Sequence, residues 1–187
     1  MTFQDGVAQV VAVLGDLHIP YVLVGAFSSN AYGIPRSTQD ADFVAVVGAR
    51  EVAAIADRLG PGFRLDPQVS FESATGTTRY VVHFADSSGV PFHIEFFELS
   101  DDEFDRQRFA RRQEALVLEQ QAYLLTAEDT VVTKLRWFQA LRRAKDREDA
   151  RGVIAVQGDR LDWAYIHRWS DAHGTRDLLD EIRRSIA

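Results

Sequence analysis

The fold can be inferred from residues 21–43, which read YVLVGAFSSNAYGIPRSTQDADF. The first four of these residues are apolar or aromatic and predict a short buried strand that ends at Gly25. A short helix is predicted to follow, and Gly33 and Pro35 predict where it ends. A polar loop then leads into a second strand, predicted over residues 41–47. The pattern is therefore strand, turn, short helix, loop and strand.

Two carboxylates lie at the start of this second strand. Asp40 and Asp42 are two residues apart, and side chains two apart on a strand point to the same side. Two adjacent negative charges repel each other, and a divalent cation relieves that repulsion. Mg²⁺ commonly takes one or two carboxylates together with substrate phosphates. The spacing therefore predicts a metal site for Mg²⁺, with Mn²⁺ as the alternative.

A third acid, Glu95, interrupts the apolar strand predicted over residues 90–99. An acid among apolar neighbours is costly unless something compensates it, so Glu95 is the third catalytic candidate, as a metal ligand or as a base. Glu98 is a competing candidate, but it falls on the opposite face of the strand. His93 shares the face of Glu95, and we interpret it as structural because a lone histidine in a strand usually is.

The turn before the short helix is a candidate phosphate site. At Gly25 and Ala26 a strand leads into a helix, and the backbone N–H groups at a helix start suit phosphate oxygens. The candidates for further hydrogen bonds to a triphosphate are Ser28, Ser29, Arg36 and Thr38. For Arg36 and Thr38 the alternative is that they only stabilise the loop.

The remaining pattern predicts an α+β fold in one domain. Helices are predicted over residues 3–18, 50–59, 101–112, 146–156, 162–172 and 176–186, with another opening at Thr126, and further strands over 77–84, 90–99 and near 115–119. We expect a small mixed sheet flanked by helices over residues 1–122 and a helical C-terminal extension over residues 123–187. The arginines within 106–112 and at 142–143 are interpreted as solvated, and the tryptophans as core residues.

The composition limits the chemistry. The chain has no cysteine, which excludes disulfides, thiolate metal sites and cysteine nucleophiles, so any metal needs oxygen or imidazole ligands. A net charge of -7 argues against a broad nucleic-acid surface, although a local basic groove is compatible with it. We see no stretch that could span a membrane and no leader segment, so we expect a cytoplasmic protein.

The sequence resembles the minimal nucleotidyltransferases of the DNA polymerase β superfamily, especially small prokaryotic members related to abortive-infection and toxin–antitoxin enzymes. Their pattern is a strand-end Gly followed by Gly or Ser, a spacer, Asp-x-Asp, and later one acid between hydrophobic residues. Gly25, Asp40, Asp42 and Glu95 match it. Ala26 departs from it, and the third acid is Glu in place of the commoner Asp. The resemblance spans roughly residues 20–173 and implies a polymerase β-like core.

The resemblance also implies a function. It implies transfer of NMP from an NTP to an acceptor hydroxyl, with Lys134 and Asp146 in the positions that help to bind the nucleotide in toxin-like relatives. The implied acceptor is tRNA or a partner toxin or antitoxin protein, in a toxin–antitoxin or phage-defence setting; an antibiotic acceptor is less favoured. The alternative, supported by Ala26, is a weak or inactive module that binds a nucleotide or a partner.

Overall fold

The computed structural model describes residues 1–72, 76–85, 87 and 89–186. The helices are α1 (Phe3–Asp16), α2 (Gly25–Tyr32), α3 (Ala49–Leu59), α4 (Glu103–Ala110), α5 (Ala127–Leu141), α6 (Ala144–Gln157), α7 (Trp163–Ala172) and α8 (Arg176–Arg184), with a 3₁₀ turn at Gly158–Arg160. The strands are β1 (Tyr21–Leu23), β2 (Asp40–Ala45), β3 (Phe63–Leu65), β4 (Ser70–Glu72), β5 (Thr77–Ala85), β6 (Pro91–Glu98), β7 (Gln113–Val117) and β8 (Gln120–Leu124). This is the α+β class that the sequence predicts.

The described strands form one mixed sheet in the order β3–β5–β6–β2–β1–β8–β7, with β4 paired to β5 outside this path. β2 is antiparallel to β1 and parallel to β6. β1 in turn pairs in parallel with β8. The first strand and the Asp-x-Asp strand therefore lie in the middle of the sheet, where both have neighbours on each side.

The two faces of the sheet are covered differently. One face packs on α1 and α3 in the largest apolar cluster, which includes Phe43 and Phe96. The other face carries a smaller cluster that includes Val44 and Phe97. Since Asp42 alternates with Phe43 along β2, its side chain points away from the large core and toward the side of the smaller cluster.

The C-terminal helices form a third apolar cluster around buried residues such as Leu135 and Ile166. Helix α2 lies against this part of the chain. A Cβ on Gly33 would come within 2.8 Å of the backbone nitrogen of Val153 in α6, and the Gln157 amide donates a 2.6 Å hydrogen bond to the carbonyl of Tyr32. These contacts connect the helical extension to the C-terminal end of α2, the helix that begins at Gly25.

Three strands, β3, β4 and β8, were not predicted from the sequence. The β7–β8 hairpin turns through Leu118 and Glu119, which both have positive φ, and neither is the Gly or Asn that usually marks such a turn. The hairpin therefore gives no sequence signal, and the boundary expected after residue 122 falls inside β8. Between the strands predicted over residues 77–84 and 90–99, the sequence Asp86-Ser87-Ser88-Gly89 predicts a hairpin turn, and residues 86 and 88 lie outside the described residues. No helix among the described residues is long and apolar enough to cross a membrane.

Candidate active site

The candidate site lies where β2 and β6 run side by side. In their parallel register Asp40 is opposite His93, and Asp42 is opposite Glu95. Residues opposite each other on parallel strands project to the same side of the sheet, so the three predicted carboxylates share one face. Glu98 lies on the other face, as the alternation predicts, where its Oε1 accepts a 2.9 Å hydrogen bond from Tyr80.

The turn after β1 passes directly against this acidic face. Gly25 has a φ of +61°, and a Cβ added to it would lie 1.9 Å from Oδ2 of Asp42. The backbone N–H of Val24 also donates to the carbonyl of Asp42 at 2.9 Å. Only glycine combines this backbone conformation with so close an approach. The local geometry therefore explains why glycine ends the strand.

A cavity of about 160 Å³ opens above the three carboxylates. Of the residues predicted from sequence, its walls include Gly25, Ala26, Arg36, Thr38, Asp40, Asp42, Glu95, Lys134 and Asp146. Residues that the sequence reading did not place there are Glu72, Arg79, Arg108, Thr133, Trp137, Arg143 and Lys145. Segments that are distant along the chain thus meet at one cavity, between the sheet and the helical extension.

Two polar neighbours position Asp40. The hydroxyl of Thr38 donates to the carbonyl of Asp40 at 3.0 Å and accepts from its N–H at 3.2 Å, so it fixes the start of β2. His93 Nδ1 lies 3.3 Å from Oδ1 of Asp40. Thr38 therefore stabilises the loop, which is the alternative that the sequence left open, although it also lines the cavity.

The cavity concentrates negative charge at Asp42. Burial, followed by the nearby charge of Glu95, raises the pKa of this carboxyl to about 6, although Lys134 opposes the shift. A carboxylate that resists ionisation in this way lacks sufficient compensating positive charge. A divalent cation bound by oxygen would supply that charge. The donor chemistry of Asp40, Asp42 and Glu95 therefore fits Mg²⁺ or Mn²⁺.

Glu95 is held by an arginine that the sequence reading missed. Nη1 of Arg79 lies 3.2 Å and 3.4 Å from the two carboxylate oxygens of Glu95, and Nε of Arg79 donates to Ser70 Oγ at 3.0 Å. Within the described part of the chain, no three His, Asp or Glu side chains converge as a ready metal cluster. Glu95 could therefore join Asp40 and Asp42 as a ligand only with a change in its contact to Arg79.

Ser28 and Ser29 do not face the cavity. Ser28 Oγ donates to the carbonyl of Leu23 at 2.8 Å, and Ser29 Oγ donates to the carbonyl of Gly25 at 3.0 Å. Both residues are buried. Their hydroxyls bond the backbone of the turn and hold β1 and α2 together. Their direct contact with a triphosphate stays a prediction.

Arg36 and Lys134 belong to a network of ion pairs. Arg36 donates to both oxygens of Asp149 at 2.8 Å and 3.0 Å. Lys134 Nζ lies 2.8 Å from Asp149 and 3.1 Å from Asp146, and Lys134 is only 5% exposed. The network is completed by Arg143, whose Nε donates to Asp146 at 2.7 Å. Asp149 was missed, although its spacing of three residues from Asp146 on a helix was a usable signal.

The packing corrects one further expectation and extends another. The sequence predicts that Arg108 is solvated, but it is 4% exposed, pairs with Asp105 at 2.9 Å and lines the cavity. The sequence predicts that Trp137 is a core residue, and it does pack against the smaller apolar cluster, with its ring edge-on to Phe97, while it also lines the cavity. Both positions arise because α4 and α5 pack against the face of the sheet that carries the carboxylates.

No protein-family model matches the chain, and no curated protein matches its sequence. Solved structures do match its fold. The solution structure of the antibiotic-resistance factor ANT(2'')-Ia has a TM-score of 0.62 at 13% identity, over 98% of this chain and 97% of that chain. The crystal structure of ANT(2'')-Ia in complex with adenylyl-2''-tobramycin has a TM-score of 0.61 at 13% identity, over 94% and 99%.

A second protein shows the same likeness. A nucleotidyltransferase-like protein from Paracoccidioides brasiliensis has a TM-score of 0.59 at 18% identity, over 95% of this chain and 90% of that chain. The chain therefore has the nucleotidyltransferase fold, as the sequence resemblance implies. At these identities the likeness establishes the fold, whereas the chemistry depends on the residues of the site.

Proposed function

We propose that the chain is a metal-dependent nucleotidyltransferase that transfers NMP from an NTP to an acceptor hydroxyl and releases pyrophosphate. The observation that carries the proposal is the β2–β6 register, which sets Glu95 beside Asp42 directly against the Gly25 turn. Two aspartates on one strand, a third acid on its neighbour and an adjacent glycine turn are the parts that phosphoryl-type transfer needs.

Each part has a distinct role in this proposal. Asp40 and Asp42 hold the divalent cation, which when bound would neutralise charge on the phosphates. Glu95 completes the metal site or accepts the proton of the attacking hydroxyl. Val24, the N-cap residue of α2, has no side-chain hydrogen bond to the first N–H groups of the helix. The N–H groups of Gly25 and Ala26 are therefore available to phosphate oxygens.

Ala26 is compatible with this chemistry. Its side chain is buried against the turn, and a methyl group there removes only the hydroxyl that a serine would supply. The backbone N–H remains. The proposal therefore assigns phosphate binding at this position to the backbone, with Lys134 and Asp146 forming the opposite wall of the nucleotide site.

For the acceptor we propose a tRNA or a partner toxin or antitoxin protein, in a toxin–antitoxin or phage-defence setting. The cations at the cavity, which include Arg79, Arg143 and Lys145, favour an anionic ligand such as RNA over a polycation. Tobramycin, which is named in its adenylylated form in the ANT(2'')-Ia complex, is included as a third acceptor in the experiment below.

The test is label transfer. The purified chain is incubated with each α-labelled NTP and Mg²⁺, in separate reactions with total tRNA, bacterial protein extract or tobramycin. We expect transfer to tRNA or to one protein, and none with Asp40→Ala or Asp42→Ala. Metal-dependent NTP binding without transfer to any acceptor would instead favour the inactive binding module. No transfer and no binding would exclude both.

A further inference from the structure

We propose that Arg143 and Lys145, at the start of α6, form the subsite for the β- and γ-phosphates of the nucleotide. In this proposal Lys134 has a structural role, as a buried cation that holds α5 against α6 through its ion pairs. This inference rests on the proposed function and deepens it. It reassigns the phosphate-binding cation from the lysine that the sequence resemblance implied to a pair that neither the sequence nor the fold likeness assigns.

Lys134 is poorly suited to bind a ligand. Its ammonium lies 3.1 Å from Asp146 and 2.8 Å from Asp149, and both carboxylates are themselves buried. If the ammonium moved to a phosphate, it would leave buried charges with less compensation, which is costly. A lysine in this position holds α5 and α6 together at the wall of the cavity.

Lys145 has the opposite character. It is exposed and lines the same cavity as Asp42. Within the described part of the chain no hydrogen bond or ion pair to its ammonium is found, whereas Lys134, the other lysine, has two. An ammonium without an acidic partner beside a cavity is a suitable point charge for a phosphate.

The guanidinium of Arg143 is held in a fixed orientation, but only one of its nitrogens makes a hydrogen bond to the described residues. Nε donates to Asp146 at 2.7 Å, and the guanidinium lies 4.8 Å from the centre of the Trp137 ring. These two contacts fix the plane of the group. Its two terminal nitrogens make no hydrogen bond with the described residues, and a guanidinium with two free donors suits a phosphate.

The charges of the cavity are therefore arranged in two walls. Asp40 and Asp42 form the acidic wall, on which the metal and the reacting α-phosphate would be held. Arg143 and Lys145 form the basic wall, on the helical side of the same cavity, where Asp146 is already paired with Lys134 and with Nε of Arg143. A triphosphate bridges two such walls, because its own negative charge is then neutralised from both ends.

The test uses inorganic tripolyphosphate with Mg²⁺, measured by calorimetry, and the KM for NTP in the transfer assay. Lys145→Gln and Arg143→Gln are each expected to weaken binding and to raise KM roughly tenfold. The matched control is Arg142→Gln, which removes the same charge from an exposed neighbour that does not line the cavity and should change neither.

The subsite would be overturned if the wild type did not bind tripolyphosphate, or if Lys145→Gln bound it as tightly as the wild type. It would also be overturned if Arg142→Gln lost as much affinity for tripolyphosphate as Lys145→Gln, or if only Lys134→Gln lost affinity while remaining folded. The expected effect of Lys134→Gln is a lower unfolding temperature with tripolyphosphate affinity retained. The proposed function fails separately, since tripolyphosphate binding without transfer of label would leave the subsite standing.

Discussion

Gly25 and Asp42 are in such close contact that a single added carbon on the glycine would overlap the carboxylate, 1.9 Å from Oδ2. The glycine turn and the acidic strand are therefore one structural unit. A change in either residue alters the position of the other.

Gly25→Ala is expected to reduce label transfer at least tenfold and to destabilise the fold by about 1–3 kcal/mol, because the methyl group displaces Asp42 and φ is positive. Label transfer and thermal unfolding measure the two effects. Gly15→Ala is the matched control, since nothing lies within 4 Å of its added Cβ in helix α1. It should keep activity and gain about 0.5–1 kcal/mol. Equal activity in the two variants would contradict the clash.

Glu95→Gln and Glu98→Gln form a second matched pair, since the two acids lie on one strand with opposite faces. Glu95→Gln should abolish transfer and weaken Mn²⁺ binding roughly tenfold, because it removes a carboxylate charge beside Asp42. Glu98→Gln should keep both, since Glu98 bonds Tyr80 on the other face. Mn²⁺ binding is followed by electron paramagnetic resonance. A loss in Glu98→Gln equal to that in Glu95→Gln would refute the face assignment.

Arg79→Gln is expected to tighten Mn²⁺ binding several-fold. Arg79 is the cation in contact with Glu95, so its removal leaves more negative charge for the metal to neutralise. Ser70→Ala, which removes the hydroxyl that holds Arg79 Nε, should have a smaller effect in the same direction. If Mn²⁺ binding weakened in Arg79→Gln, the guanidinium would be supporting the metal site and not competing with it.

Asp149→Asn is expected to cost about 3 kcal/mol of stability at pH 7, because it leaves Arg36 without its carboxylate partner and leaves Lys134 with Asp146 alone. Burial alone would raise the pKa of Asp149, but the hydrogen bond from Arg36 and the charge of Lys134 outweigh it and lower the pKa.

The pH dependence of Asp149 follows from this sign. A lowered folded-state pKa gives stability that is present above the unfolded value of 3.8 and is lost as the pH falls through the folded-state pKa. Urea unfolding between pH 2 and 7 should show a shallower loss of stability below about pH 4 in Asp149→Asn than in the wild type. Parallel curves would show that Asp149 does not carry this dependence.

The acidic face could be predicted because it depends on local rules. The spacing of Asp40 and Asp42 fixes their shared face whatever the sheet order, and the alternation along β6 separates Glu95 from Glu98. Gly25 was found for the same reason, since a strand that ends in glycine indicates a turn.

The partners of the cations could not be predicted in this way. Arg79 meets Glu95 only because β5 and β6 pair in one particular register, and Lys134 meets Asp149 only because α5 packs on α6. Such pairings depend on tertiary packing, which sequence spacing does not encode. The exposed Lys145 and the buried Lys134 therefore look alike in sequence.

The parallel pairing of Leu23 with Leu124 also constrains how the nascent chain folds. During synthesis β1 can pair with β2 early, but its other edge stays open until β8 has left the ribosome. Such non-local pairing slows folding, and an open central edge is exposed to aggregation in the meantime. We expect fragments that end before residue 120 to collapse and associate, and the glycine turn to become rigid only late in folding.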